Sequence, residues 1–413
     1  MGELHLFIIW ENASYKKDEI LEDIKKSFEI IKIYKMIWDK DKFSENLSRF
    51  YGTNLPAGSG KEQHCGTGPF ILIIVKDKNP RYEIRNTSKG DKLVNVNMFD
   101  KKTYYRELTG GGHKIHATND IIETEHDLTL LLHQSIEDFL KNVEKSDKEE
   151  EKNINLIGTD GWKDATEMFY ALNHCTNYAI LRNYENLPDE IYVNDHNDID
   201  LMCQSKEDCA YVLNAKKVFP EEYRVHYITK VQGKNAYFDL RYIGDNYYDE
   251  VLEEDILKTK EFNEKGFYTI EKNLYFYTLL YHAFLHKKQF AKDYKERLVE
   301  MKIENIKIDS DEQQFVERLN QWLLKNQYIV KIPNDVSVQF NPENAKKLSK
   351  LVYRNEEELQ KLKNLNNELK VENENLKNKN EHLETELNHM VNSLSWKSTK
   401  WIRDFHTYLK NKE

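Results

Sequence analysis

Residues 178–200 read YAILRNYENLPDEIYVNDHNDID and end on two aspartates, Asp198 and Asp200, one residue apart. The stretch predicts a strand, a turn, a long loop and a second strand. On a strand, residues i and i+2 share a face, so Asp198 and Asp200 aim both carboxylates the same way while Ile199 and Leu201 face the core. Further along, residues 237–249 read YFDLRYIGDNYYD and set a third acid, Asp239, in a short aromatic strand between Phe238 and Leu240. Three acids on neighbouring strands suit Mg²⁺, which takes a few carboxylates plus substrate oxygens rather than an all-protein cage. A lone D-x-D also occurs as an ordinary strand-edge cap. Asp239, together with Leu181-Arg182-Asn183 upstream, shifts the balance toward a site.

DIDL followed by an acid in a later strand resembles the nucleotidyltransferase superfamily typified by DNA polymerase beta. The resemblance implies that Asp198 and Asp200 bind metal and that Asp239 is a third ligand or a base. It further implies Mg²⁺ as cofactor and a nucleoside triphosphate as substrate. Where that family carries a Gly-Ser pair ahead of the D-x-D strand, this chain carries Arg182 and Asn183, which offer a phosphate contact and a hydrogen bond instead.

The rest of the chain sets the frame. At 413 residues it is long enough for two or three domains, each with its own core. A net charge of −10 excludes bulk nucleic-acid binding, which needs a basic face. Cys65, Cys175, Cys203 and Cys209 show no C-x-x-C pairing, so reduced thiols and a cytoplasmic setting are expected. The N-terminal LHLFIIW reads as a buried strand rather than a signal peptide, and no stretch is apolar enough to span a membrane.

Residues 1–145 predict a mixed-sheet α/β domain: the strand LHLFIIW, an amphipathic helix over 16–33, a strand over 31–38, and the apolar strand 69–77 behind the polar loop AGSGKEQHCGTG. The run TGGGHKIHATND at 109–120 is the stronger signal. Gly110, Gly111 and Gly112 lead into His113 and Lys114, and a helix starting at Lys114 would make an anion seat. The run resembles the G-G-x-H-R box of the ParB/sulfiredoxin fold, which implies nucleotide-phosphate binding by Gly110–Lys114. The sulfiredoxin cysteine is Gly112 here, so sulfinic-acid reduction is not expected. His113, His116 and His126 leave two readings open, a metal site or hydrogen-bonded histidines in a tight turn.

Residues 146–153, a charge run, read as a solvated linker. Residues 154–345 predict a nucleotidyltransferase-like α/β sheet with a helical subdomain, in which His282 and His286 on an apolar helix read as packed rather than ligating. Residues 346–394 predict a coiled coil: Leu362, Leu369, Leu376, Leu383 and Met390 recur at position d, with Leu359, Asn366, Asn373, Asn380, Leu387 and Leu394 at a. That pattern favours a homodimer, with a hetero-partner or a single solvated helix as the alternatives. The segment 395–413 carries Trp396, Trp401, Ile402, Phe405 and Leu409 among lysines and an arginine. It reads equally as an amphipathic helix for an anionic membrane surface or as a cap on the coil. Its S-W-K-S-T start is similar to the endings of bacterial surface-polysaccharide glycosyltransferases, which implies a pathway rather than a reaction.

The sequence therefore points to a multidomain α/β (α+β) chain with Mg²⁺-dependent nucleotidyl- or phosphotransferase chemistry on a glycan-precursor acceptor in capsule or surface-polysaccharide assembly. A second nucleotide-binding or kinase function would lie in the N-terminal domain. The competing reading is a catalytically inactive, nucleotide-sensing dimeric scaffold that recruits a glycosyltransferase.

Overall fold

A computed structural model describes residues 2–87, 90–191, 198–301, 311–353, 356–392 and 397–410. The chain is mixed α/β and divides into two compact units, Met1–Leu348 and Ser349–Glu413. Trp396 and Leu394 lie outside the described residues, as do the side chains of Leu359, Leu362 and Leu409.

The first unit contains two principal sheets. One has the order β6-β1-β3-β2-β7, built from β1 (Glu3–Ile9), β2 (Glu29–Ile37), β3 (Phe70–Asp77), β6 (Ile115–Ala117) and β7 (Ser146–Asn153). A hairpin of β4 (Tyr82–Thr87) and β5 (Gly90–Asn95) stands apart from it. Helices α1 (Lys17–Ser27), α2 (Phe43–Tyr51), α3 (Gly60–Cys65), α4 (Val96–Leu108), α5 (Ile121–Leu132) and α6 (Ile136–Asn142) connect and cover these strands.

Three expectations for this half are corrected. The helix expected over 16–33 stops at Ser27, where Phe28 turns extended. Ile30 and Ile33 then pair with Val75 and Ile73 of β3, because β-branched side chains pack better on a pleated sheet than on a helix. Residues 146–153 are not a free linker but an edge strand, parallel to β2. Their acids are matched by lysines: Glu150 with Lys32 at 2.8 Å, Glu151 with Lys35 at 2.9 Å, Glu149 with Lys17 at 3.0 Å. A charged edge of this kind also blocks pairing with foreign strands. Finally, Gly110–Lys114 does not open a helix. It closes α4 and feeds strand β6, and the next helix begins only at Ile121, capped by Asp120.

The second sheet has the order β10-β11-β12-β9-β8-β14-β13, with β8 (Tyr178–Ile180), β9 (Ile199–Cys203), β10 (Lys216–Lys217), β11 (His226–Val231), β12 (Lys234–Tyr242), β13 (Glu261–Phe262) and β14 (Tyr268–Thr269). Its helices are α7 (Ala165–Cys175), α8 (Lys206–Val212) and α9 (Glu250–Thr259). Beyond it lie α10 (Lys272–Leu285), α11 (Lys292–Glu300), α12 (Glu312–Asn326) and α13 (Pro342–Ala345).

The two sheets share a core. One apolar cluster runs from Trp10, Phe43 and Phe70 on the first side to Phe169, Tyr178 and Phe238 on the second. Within this interior Arg49 of α2 is 2 % exposed. Its guanidinium donates to the carbonyls of Tyr211 (3.0 Å), Val212 (3.0 Å) and Ile157 (2.7 Å) and to Thr159 Oγ1 (2.8 Å). Tyr211 and Val212 end α8, so a cation of the first half satisfies the carbonyls left open at that helix terminus.

The second unit holds α14 (Glu356–Asn392) and α15 (Lys400–Lys410). Among the described residues no helix is long and apolar enough to cross a membrane.

Arg49→Met should leave the Ile157 and Val212 carbonyls without their Arg49 donor, and Tyr211 with only the Asn214 N–H, and destabilise the first unit by about 3 kcal/mol. Denaturant unfolding checks this, and a loss under about 0.5 kcal/mol would place the tie between the halves in apolar packing alone.

Candidate functional site

The register of the second sheet collects charged groups that are distant in sequence. Asp200 of β9 lies opposite Asp239 of the parallel β12, and Asp239 lies opposite His226 of the antiparallel β11. Cross-strand neighbours point to the same face, so the three form one rung. Asp198, two residues before Asp200, joins them. One ligand atom each from Asp198, His226 and Asp239 lies within 4.8 Å of the others. His226 Nε2 is 3.4 Å from Asp239 Oδ1.

Arg241, also on β12 and 3 % exposed, stands behind this rung. Its guanidinium reaches Asp239 Oδ2 at 3.6 Å, Asp335 Oδ2 at 3.6 Å and Asp245 Oδ2 at 3.7 Å. Arg224 Nε lies 3.8 Å from Asp335 Oδ1. These separations are ion pairs, longer than hydrogen bonds. Accordingly Asp239 Oδ1, His226 Nδ1, Asp335 Oδ2 and Arg241 Nη1 are buried with no hydrogen-bond partner. Among the described residues, Asp239, Asp245 and Asp335 all draw on Arg241, and Asp335 draws on Arg224 as well. Asp198, His226 and Asp239 are placed to hold a divalent cation.

Asp200 is tied to the helical side. Arg182 Nη2 donates to Asp200 Oδ1 at 2.5 Å, and both side chains are almost fully buried. Burial pushes the Asp200 carboxyl up to about 6. Asp239 and Asp198 add to that push, and together they outweigh the opposite pull of Arg182. Arg182 also bonds the Tyr247 hydroxyl, which meets His282 Nδ1 at 2.6 Å. Burial, with Arg182 alongside, holds His282 neutral, and burial with Arg241 does the same for His286. His282 is therefore packed and hydrogen-bonded, whereas both ring nitrogens of the buried His286 lack a partner.

Two sequence candidates are already engaged. Arg182 is held by Asp200, and the Asn183 side-chain oxygen accepts from Arg297 of α11 at 2.8 Å. His226, Arg241, Asp245 and Asp335 were not singled out in the sequence. The alternation of Arg224 and His226 just before and within β11 was the available signal, but only the register with β12 gives it meaning.

In the first half, Gly110, Gly111 and Gly112 all have φ near +80°, a backbone that favours glycine. A Cβ on Gly112 would meet His64 Nδ1 at 3.0 Å, so this turn packs on α3 inside the Ala57–Gly68 loop. Lys114 Nζ donates to the Thr109 carbonyl at 2.7 Å, and His113 is exposed beside His64. His113, His116 and His126 do not share a helical face. Instead His116 Nε2 and His126 Nδ1 occupy the two oxygens of buried Asp127, at 2.7 and 2.9 Å.

No family model and no curated protein matches the chain. Among solved structures it is similar to an orthorhombic crystal form of the Aquifex aeolicus nucleoside diphosphate kinase, at 16 % identity and a TM-score of 0.24, over 33 % of this chain and 99 % of that one.

Because the folded Asp200 carboxyl titrates above an ordinary aspartate, its contribution to stability is present below about pH 4 and lost as pH rises through about 6. Arg182→Met removes the larger of the two charges that oppose this rise, leaving Arg241. The loss of stability should then extend to higher pH, by about 1.4 kcal/mol per pH unit. Thermal unfolding across that range checks it, and curves that overlay would remove Arg182 from the electrostatics of Asp200.

Proposed function

We propose that the chain is a Mg²⁺-dependent nucleotidyl- or phosphotransferase using a nucleoside triphosphate, with the second sheet as a nucleotidyltransferase-type scaffold. The observation that carries this reading is the convergence of Asp198, Asp239 and His226 beside Asp200, with Asp239 Oδ1 and His226 Nδ1 buried and unpartnered. Two carboxylates and an imidazole fit a divalent ion, with Mn²⁺ tolerating the nitrogen ligand better than Mg²⁺. Asp198 and Asp239 would hold it, and the ion would neutralise phosphate charge when bound. Asp200, with its raised pKa, is suited to take a proton from an acceptor hydroxyl. Arg182 and Tyr247 fix the orientation of that carboxylate from the helical side.

The N-terminal half, which we relate to the ParB/sulfiredoxin fold by its glycine box, would bind a second nucleotide or phosphate through Gly110–Lys114. The three left-handed glycines, packed on His64 in the Ala57–Gly68 loop, support that role. A cytoplasmic place in capsule or surface-polysaccharide assembly, with α15 against the inner membrane face, rests on the tail residues alone. The competing reading, a catalytically silent nucleotide-sensing scaffold, is favoured by one observation: Arg182 and Asn183, which stand in for the Gly-Ser pair, are already held by Asp200 and Arg297.

Calorimetry with Mn²⁺ and pyrophosphate release from ATP, CTP, GTP and UTP separate the two. Asp198→Asn/Asp239→Asn should abolish ion binding and turnover. Gly112→Val should weaken nucleotide binding at the first half only. Ion binding without turnover by folded wild type would favour the scaffold, and no ion binding at all would end the catalytic reading.

A further inference from the structure

We infer that two copies of this chain pair in parallel and in register along α14. This stands independently of the catalytic reading. The helix is 37 residues long, and Leu369, Leu376, Leu383, Leu387 and Met390 on it are 51–58 % exposed. Such a row of leucines, recurring every seven residues, is a seam that needs a facing helix.

The polar residues of the seam select the direction. Asn366, Asn373 and Asn380 occupy successive a positions. In a parallel pair, a faces a, so each asparagine meets its own copy and the two amides hydrogen-bond. In an antiparallel pair, a faces d, and every asparagine would be buried against a leucine without a partner. Asparagine at a also favours two strands over three.

The flanking charges select the register. In a parallel pair each g residue faces the e residue five positions on in the other chain. Glu372 then faces Lys377 and Lys379 faces Glu384, both attractive, and the two-fold repeats each contact. A slip of one heptad preserves two of the asparagine layers but brings Glu372 against Glu384, Lys379 against Lys377 and Glu386 against Glu384. Only Glu372 against Lys370 stays attractive. The chain is thus complementary to itself in one alignment, which makes a second copy the occupant of this face. Both copies of α15 then follow from the same end of the pair.

Sedimentation equilibrium on the full chain tests the inference. Wild type should be a dimer. Glu372→Lys/Lys379→Glu turns all four contacts repulsive, as does Lys377→Glu/Glu384→Lys, and each variant alone should dimerise about 100-fold more weakly. An equal mixture of the two should recover a one-to-one heterodimer, since every contact is attractive again only in the parallel, in-register alignment. Monomeric wild type, a single variant that dimerises like wild type, or a mixture that stays monomeric would each overturn it. The thermal transition of the globular unit reports that both variants are folded.

Discussion

A single buried guanidinium decides how the two sheets meet. Arg49 carries its charge into an apolar junction, where no carboxylate among the described residues hydrogen-bonds it. Burial pulls its pKa down to about 10, which still leaves it cationic at neutral pH. Its charge is instead met by backbone carbonyls, two of them at the closing end of α8. A cation at a helix C-terminus is favourable, and its forked donors match several carbonyls at once. Lysine has the charge but not the fork. Because α8 packs beside β12, the same contact that joins the halves also fixes the sheet that carries the acids.

That sheet concentrates charge against the usual preference of protein interiors. Buried charges are normally paired and hydrogen-bonded, since leaving them otherwise is costly. Here Asp239, Asp335, Arg241 and His226 are paired loosely, at ion-pair rather than hydrogen-bond distances, with several atoms unpartnered. By contrast Asp200 and Arg182 are in tight contact, and Tyr247 and His282 extend the contact to the helices. The site is therefore rigid on its helical side and under-satisfied on its sheet side. A rigid carboxylate beside loosely held ones is the arrangement expected where a ligand completes the balance.

Local patterning made parts of this legible. The apolar runs of β1 and β3, the D-x-D spacing and Asp239 in an aromatic strand follow from the period of two. The failures have particular causes. Isoleucines at 20, 24 and 31 fit a helical period, but β2 took in the last of them, at the bulge between Ile30 and Lys32. The run 146–153 looked like a linker because its partners, Lys17, Lys32 and Lys35, lie more than a hundred residues away. Three glycines promised a helix start and instead ended one. His226, Arg241 and Asp335 carry no motif. Their approach to Asp239 comes from strand register and from a segment near residue 335 that returns to the sheet.

The sequence by itself determined which strands are buried, that Asp200 and Asp239 sit in strands, and that a heptad row of leucines runs through Leu369, Leu376 and Leu383. Each depends on a period within a single element. Only the tertiary structure decided which carboxylate is taken by an arginine, that a histidine joins Asp198 and Asp239, and that the two sheets share one core. Those outcomes depend on parallel and antiparallel register between distant segments, and pairing across a sheet leaves no period in the chain for a reader to find.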